Sequence, residues 1–350
     1  MNSFLNDRLL NMNVPMRIVR LIGKINEYKG KQDLYNQQSP QILESLKKVA
    51  VIESTKASNE IEGIKIEYKR LHDIINKGKP VNLENRSEGE IMGYKEVLNL
   101  IHTSAAHIPI KPSVILQLHG ELYKFVPTEG RHWKSSDNFI QETLPDGSKF
   151  MRFKPVSAFM TPDAIEKLCN LTNESIKNNE IDPLILTGAF VLDFLCIHPF
   201  DDGNGRMSRL LTLLLLYKFG YEVGRFISLE KIIEKNKEEY YNTLYLSSQK
   251  WHSSEHILLP WIEYMLGVIV SAYREFENRV GNLENTKGSK SYRVENSINH
   301  FIGPFTKNDI RKACPDVGES TINRVLSKLR EENIITATGK GRNAKWTIIN

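Results

Sequence analysis

Within twelve residues, His198-Pro-Phe-Asp-Asp-Gly-Asn-Gly-Arg-Met-Ser-Arg209 combines a base, carboxylates, a glycine-rich turn and two arginines. His198 is the group there that can take a proton near neutral pH. The run lies between an apolar helix ending at Ile197 and another starting near Gly205. The Gly203-Asn204-Gly205 turn therefore offers backbone N–H groups at a helix N-terminus, where an anion is favoured. Arg206 and Arg209, three residues apart, are expected to share a face and to hold successive phosphates with planar donor forks. Asp202 can hold a Mg²⁺ ion that bridges phosphate oxygens, because that ion prefers one or two carboxylates plus substrate oxygens. The chemistry indicated is phosphate handling. A His/Asp metal site is the weaker alternative, since His198, Asp201 and Asp202 lack a second well-spaced histidine.

The pattern HPFxDGNGRxxR resembles the active-site motif of Fic proteins, whose common activity is transfer of AMP from ATP to a Ser, Thr or Tyr hydroxyl of a protein. Nine specified positions, at about one in twenty each, make a chance match about 10⁻¹² per starting position. Gly205 also matches the AMP-transferring members. The resemblance implies His198 as general base on the target hydroxyl and Asp202 as ligand to Mg²⁺ or Mn²⁺. It implies Asn204 with the backbone of Gly203 and Gly205 as the anion hole, and Arg206 and Arg209 on the β- and γ-phosphates of ATP. Phe200 would anchor the loop in the core. Phe139 and Ile140 would belong to a hairpin flap that docks the target segment, and Tyr241 would cover the adenine. Lys134 stands where the family carries arginine. The proline-rich end of the flap departs from the pattern as well.

Ser58-Asn-Glu-Ile-Glu62-Gly63 resembles the family's inhibitory motif and ends a helical stretch, Glu44–Ile61, N-terminal to the catalytic run. Glu62 is expected to pair with Arg209 and block the γ-phosphate, and Ser58 to hydrogen-bond the ATP-site loop. The resemblance thus implies an autoinhibited adenylyltransferase that modifies a protein target and itself, with a homodimer as a further expectation. Two alternatives use the same residues: removal of AMP from a modified protein, and a DNA-binding regulator whose pocket senses nucleotide.

The elements that must position this site are mainly helical. Ile18, Leu21, Ile22 and Ile25 recur at helical spacing, as do Ile42, Leu43, Leu46, Val49 and Ala50, and Ile115, Leu118 and Leu122. Further helices are expected over Ile185–Ile197, Gly205–Phe219, Ser228–Ser247 and His256–Val280, with Thr161-Pro162 as an N-cap and first helical residue. Asn138–Pro155 reads as a β-hairpin around Pro145-Asp146-Gly147. The expected class is mainly α: a Fic-type core with a flap, plus a small C-terminal α+β unit. The expected division is 1–95 for the inhibitory region, 96–280 for the core, 281–291 for a linker and 292–350 for a winged helix-turn-helix.

Charge supports the last division. The chain of 350 residues carries +5 net, yet residues 287–350 hold twelve basic against six acidic side chains, so the whole excess lies in the tail. Two partners are open there: DNA, through Ser320, Thr321, Asn323, Arg324 and Lys328 on a recognition helix and Lys340, Arg342 and Lys345 on a wing, or a protein docked on the same unit. Cys169, Cys196 and Cys314 are widely separated, which excludes a disulfide framework. The first residues lack a basic-then-apolar pattern, and no apolar run approaches the ~20 residues of a membrane span. A cytoplasmic protein with no membrane partner is the expectation.

Overall fold

The computed structural model describes the chain except for residues 39, 77–82, 129, 144–145, 282–288, 300, 302–303, 315–316, 333, 339–343 and 350. Residues Met16–Gln38, Pro40–Ile61, Tyr68–Asn76, Arg86–Ser104 and Pro112–Leu122 form helices α1 to α5. Strands β1 (Ile140–Thr143) and β2 (Lys149–Phe153) follow, then α6 (Thr161–Asn178), α7 (Pro183–Ile197) and α8 (Asn204–Lys218). Helices α9 (Leu229–Lys235), α10 (Lys237–Ser248) and α11 (Leu259–Gly281) complete the larger unit.

At its centre are α7 and α8, whose side chains are almost all buried. Asp182 starts α7 by accepting from the Leu184 and Ile185 N–H groups, as an N-cap aspartate should. Nearly every side chain from Leu184 to Ile197 and from Met207 to Tyr217 is buried. Each fully buried Leu, Ile or Phe contributes about 1.5–3 kcal/mol, so this pair anchors the unit. Around it pack α6, α10 and α11 against α7, and α2 and α4 against α8. One hydrophobic core runs from Met1 to Val280, so the boundary expected at 95/96 falls inside α4 and separates no independent unit.

Three local expectations need correction. Thr161 does not cap α6; it is the first helical residue, and its hydroxyl donates back to Ser157 O at 2.8 Å. The single helix expected over 228–247 breaks at Asn236 (φ −123°, ψ 36°) into α9 and α10, with Ser228 capping α9 through the Lys231 N–H. Of the linker expected over 281–291, Gly281 belongs to α11 and Ser289–Ser291 to the next helix, while 282–288 lie outside the described residues. The hairpin is present, with Thr143 opposite Lys149 and an irregularity at Ile140/Gln141; its turn residue Pro145 lies outside the described residues.

The C-terminal unit has its own core, from Val294 to Trp346. It runs α12 (Ser289–Asn299), β3 (Phe305–Thr306), α13 (Lys307–Ala313), α14 (Glu319–Glu331), β4 (Ile335–Thr338) and β5 (Lys345–Ile348), with the strands in antiparallel order β3-β5-β4. Thr306 and Asp309 form a capping box at α13. Cys169, Cys196 and Cys314 are all buried. Among the described residues no helix is long and apolar enough to cross a membrane.

Candidate active site

The loop 198–203 joins α7 to α8 at one end of the buried pair and carries the motif. Helix α7 ends because His198 turns left-handed (φ 51°, ψ 61°), its N–H still donating to Phe194 O at 2.9 Å. A non-glycine residue pays roughly 1–2 kcal/mol for this conformation, so neighbouring groups must hold it. Lys134 Nζ donates to Ile197 O at 3.0 Å and to Asn138 Oδ1 at 2.9 Å, while Asn138 Nδ2 donates to Phe200 O at 3.1 Å. Burial lowers the Lys134 ammonium to about 8, against the pull of Asp137 and Asp201. The Asn204 side chain, expected at the anion hole, is buried and bonded into the loop. Its Oδ1 accepts from Phe200 N at 3.0 Å and its Nδ2 donates to Phe200 O at 2.7 Å. Phe200 is fully buried, as expected, and stacks on His119 with ring centroids 3.7 Å apart.

The His198 Nδ1 lies 3.3 Å from Leu195 O. A carbonyl only accepts, so Nδ1 carries the proton and Nε2 is left as the base. Burial, aided by the nearby Lys134 charge, lowers the imidazole to about 4, so His198 is neutral and proton-accepting at neutral pH.

The segment expected to inhibit is built by a helix stop. Gly63 (φ +85°) adopts the left-handed conformation after α2, its N–H donating to Glu60 O at 3.0 Å and the Ile64 N–H to Asn59 O at 3.0 Å. This is a Schellman arrangement, and it leaves Glu62 projecting at the helix end. Deeper in α2, Ser54 donates to Glu230 at 2.7 Å, and Tyr94 of α4 donates to the same carboxylate at 3.0 Å, which fixes α2 against its neighbours. Glu62 Oε1 meets Arg209 Nη2 at 2.7 Å. Ser58 receives the same guanidinium twice, Arg209 Nε on its hydroxyl at 2.8 Å and Nη2 on its carbonyl at 2.9 Å. Burial alone would lower Arg209, but Glu62 and the hydroxyls of Tyr240 and Tyr94 hold it above the ordinary arginine value. The Glu62 carboxylate also lies over Gly205: a Cβ there would come within 2.2 Å of Oε1. An internal anion therefore sits at the head of α8, where the spacing places a phosphate.

Arg206 goes elsewhere. Residues three apart on a helix diverge by about 60°, and Glu90 captures this side chain: Nη1 donates to Glu90 Oε2 at 2.6 Å and Nη2 to the Tyr123 hydroxyl at 2.8 Å. The two arginines thus share α8 without sharing a partner, contrary to the expectation of one common face. Gly89 and Gly93 on α4 make the approach possible, since Cβ atoms there would lie 2.3 Å from Phe125 O and 2.0 Å from Leu122 O. The Asp202 carboxylate accepts from Gly203 N at 2.6 Å and lies 3.2 Å from Arg86 Nη2 and 3.5 Å from Arg206 Nη2. Burial alone would raise this carboxyl; Arg206, the Tyr123 hydroxyl, the Gly203 N–H and Arg86 outweigh it and hold it below the usual carboxylate range.

Among the described residues no cluster of three His, Cys, Asp or Glu side chains could hold a metal ion by itself. The half-exposed Asp202 fits Mg²⁺ only together with oxygens of a bound phosphate. A cleft of about 300 Å³ brings together Glu62, Phe139, Ile140, His198, Gly205, Arg209 and Tyr241, a volume at the low end of ligand pockets. The Tyr241 hydroxyl reaches Ile61 O at 3.4 Å, and Arg152 of the flap donates to Tyr241 O at 3.3 Å.

Glu90, Tyr123, Arg86, His119 and Asn138 escaped the sequence reading as site residues. The only local signal for the first was the Gly89/Gly93 pair flanking it. In the C-terminal unit Ser320 and Asn323 are exposed, and Thr321 is half-buried. Arg324 donates to Ser291 at 2.7 Å and Lys328 pairs with Glu295 at 2.9 Å, so both of these expected DNA contacts are engaged by α12. Lys345 is exposed, while Lys340 and Arg342 lie outside the described residues.

Residues 109–216 match the family described as Fic/DOC. A Fido domain-containing protein of Dictyostelium discoideum is 30% identical over 133 residues, covering 36% of this chain and 84% of that protein. The chain belongs to the Fic/DOC family. A protein named protein adenylyltransferase Fic from Drosophila persimilis is 26% identical over 252 residues, covering 70% of this chain and 46% of its own length. The chain therefore spans about half of that relative, and its namesake from Drosophila grimshawi is matched over 32% of its length at 28% identity. Among solved structures, a Fic family protein from Desulfovibrio desulfuricans superposes with a TM-score of 0.61 at 21% identity, covering 96% of this chain and 97% of the other. A Fic domain containing signaling protein from Bacteroides thetaiotaomicron gives 0.62 at 20% identity over 75% and 99% of the two chains. These likenesses establish the Fic fold, mainly helical with small antiparallel sheets.

Proposed function

We propose that this Fic protein is an autoinhibited adenylyltransferase that moves AMP from ATP to a Ser, Thr or Tyr hydroxyl of a protein, itself included. The observation that carries this reading is the Glu62 carboxylate lying on Arg209 and over Gly205 in the cleft that holds His198. A carboxylate held at a helix N-terminus by a buried guanidinium occupies a place suited to an anion, which supports the brake.

In the reaction His198 Nε2 accepts the proton of the target hydroxyl as its oxygen bonds to the α-phosphorus. The bond from that phosphorus to the bridging oxygen breaks, and pyrophosphate leaves with the electron pair. The backbone N–H groups at the start of α8 face the charge that develops on the α-phosphate. Arg209, freed from Glu62, holds the departing phosphates. A divalent ion on Asp202 would neutralise charge on the phosphate oxygens. Tyr241 would flank the adenine, and Phe139 and Ile140, at the start of the flap, would align the target segment by strand addition.

The test is incubation with α-labelled ATP and Mg²⁺. Glu62→Gly should raise label transfer and His198→Ala should abolish it; a Glu62→Gly protein no more active than its parent would refute the brake. Removal of AMP is a second reading, supported by a carboxylate beside the base in one cleft. Under it Glu62→Gly abolishes release of AMP from a modified protein. The C-terminal unit is proposed as a winged helix-turn-helix with DNA as its partner, which requires an affinity that falls steeply with added salt.

A further inference from the structure

Glu62 restrains Arg209, but it does not touch Asp202. That carboxylate has a partner of its own. Arg86, the first residue of α4, lays its Nε on Glu90 Oε1 at 2.6 Å and extends Nη2 to Asp202 Oδ2 at 3.2 Å. Glu90 is itself fixed from the other side, its Oε2 accepting from the buried Arg206 at 2.6 Å, so it is a rigid anchor with a side chain only 6% exposed. Arg86 and Asp202 are each more than half exposed, at 54% and 56%. Their contact is therefore the weak link in the chain Arg206–Glu90–Arg86–Asp202. The inner pair is buried and permanent; the outer one can open to solvent without disturbing the helix.

We propose that Arg86 is an internal cation that occupies the metal-binding oxygen of Asp202 and must release it before a divalent ion can bind there. This rests on the reading of Asp202 as the ligand of the nucleotide-bound ion. One oxygen of the carboxylate, Oδ1, is already taken by the Gly203 N–H at 2.6 Å with Arg206 3.5 Å away. Each carboxylate oxygen has two lone pairs, and the Tyr123 hydroxyl also bears on this carboxylate; Oδ1 is the more crowded of the two by the Gly203 N–H and Arg206, and Oδ2, the one Arg86 holds, is the one more open to a metal. A guanidinium on Oδ2 competes with a hydrated divalent ion for its lone pairs, and their like charges oppose one another at this distance. Because Arg86 stays tethered to Glu90, it returns to Asp202 whenever the ion leaves. The site so gains a second restraint, set by metal concentration and independent of Glu62.

The experiment measures Mn²⁺ binding by electron paramagnetic resonance to the full chain carrying Glu62→Gly, at saturating α,β-methylene-ATP, which cannot transfer AMP. Arg86→Gln should bind Mn²⁺ roughly three- to tenfold more tightly, since an exposed ion pair and a nearby like charge are removed together. Arg86→Lys keeps a charge but cannot fork between Glu90 and Asp202, so a gain of about twofold is expected; this variant guards against a Gln protein that fails to fold. Asp202→Asn should weaken binding at least about tenfold. If Asp202→Asn weakens Mn²⁺ binding while both Arg86 variants match the parent, the proposal is overturned and the reading of Asp202 stands. If Asp202→Asn binds like the parent, the reading of Asp202 fails and the proposal goes with it.

Discussion

Two arginines one turn apart on the same helix are neutralised in opposite ways. Arg206 is met by Glu90 from inside a helix, with both side chains almost wholly buried at 2% and 6% exposure. Arg209 is met by Glu62 from a helix end, where the carboxylate is 30% exposed and followed by the turn at Gly63. The ion pairs are alike in length, 2.6 and 2.7 Å. What differs is the cost of opening them. Opening the inner pair strands both charges in a medium that cannot solvate them, whereas Glu62 can swing into water while Arg209, itself only 4% exposed, keeps its two bonds to Ser58. One contact is thus part of the fold and the other is a clasp.

The comparison breaks first on stability. Glu90→Ala should destabilise the protein by about 3–5 kcal/mol, read as a lower urea midpoint, and should cost transfer activity because Arg206 and Arg86 lose their anchor. Glu62→Gly should cost less, about 1–2 kcal/mol by the same measurement, because Arg209 is only 4% exposed but keeps its two bonds to Ser58. Equal losses would mean that the clasp is structural after all. The next largest effect is on rate: freeing Arg209 by Glu62→Gly should speed label transfer about ten- to a hundredfold, the usual worth of a phosphate-directed charge-assisted contact, with Glu90→Ala moving it the other way.

Ser58→Ala sharpens the contrast more gently. It removes the hydroxyl that receives Arg209 Nε and should cost about 1–2 kcal/mol while raising basal transfer a few-fold, because the guanidinium loses one of the bonds that hold it beside Glu62. The smallest effect is in pH. With its folded value lowered to about 4 by burial, His198 is deprotonated throughout the neutral range. Transfer by the Glu62→Gly protein should change less than twofold between pH 6 and 7.5, where a histidine of ordinary affinity would give about a fourfold rise. The stability sign follows: between the ordinary value and about 4 the unfolded chain binds the proton and the folded chain does not, so His198 lowers stability as pH falls through that window.

Much of this was legible in the residues. The base, the carboxylate and the glycine turn are consecutive, so the backbone brings them together whatever the rest of the chain does. Glu62 was legible through Ser58 and Gly63, because helix spacing relates the serine to the glutamate and the glycine ends the helix. The expectation that Arg206 and Arg209 act alike was not met, since spacing along a helix says which side chains are neighbours and nothing about what faces each of them. Glu90 and Tyr123 come from α4 and from the residue just after α5, and no pattern near the motif announces them. Likewise Arg324 and Lys328 look like free cations on α14 until α12 supplies Ser291 and Glu295.

By itself the sequence determined the helical class, the family and the set of residues gathered in the run 198–209, because these depend on local periodicity and on residues adjacent in the chain. Only the tertiary structure decided which charge meets which. That choice depends on the close passage of α4 over the end of α5 at two glycines and on the projection of Glu62 from α2 onto the head of α8. A salt bridge is set by distance and burial in three dimensions, and neither is a property of spacing along the chain.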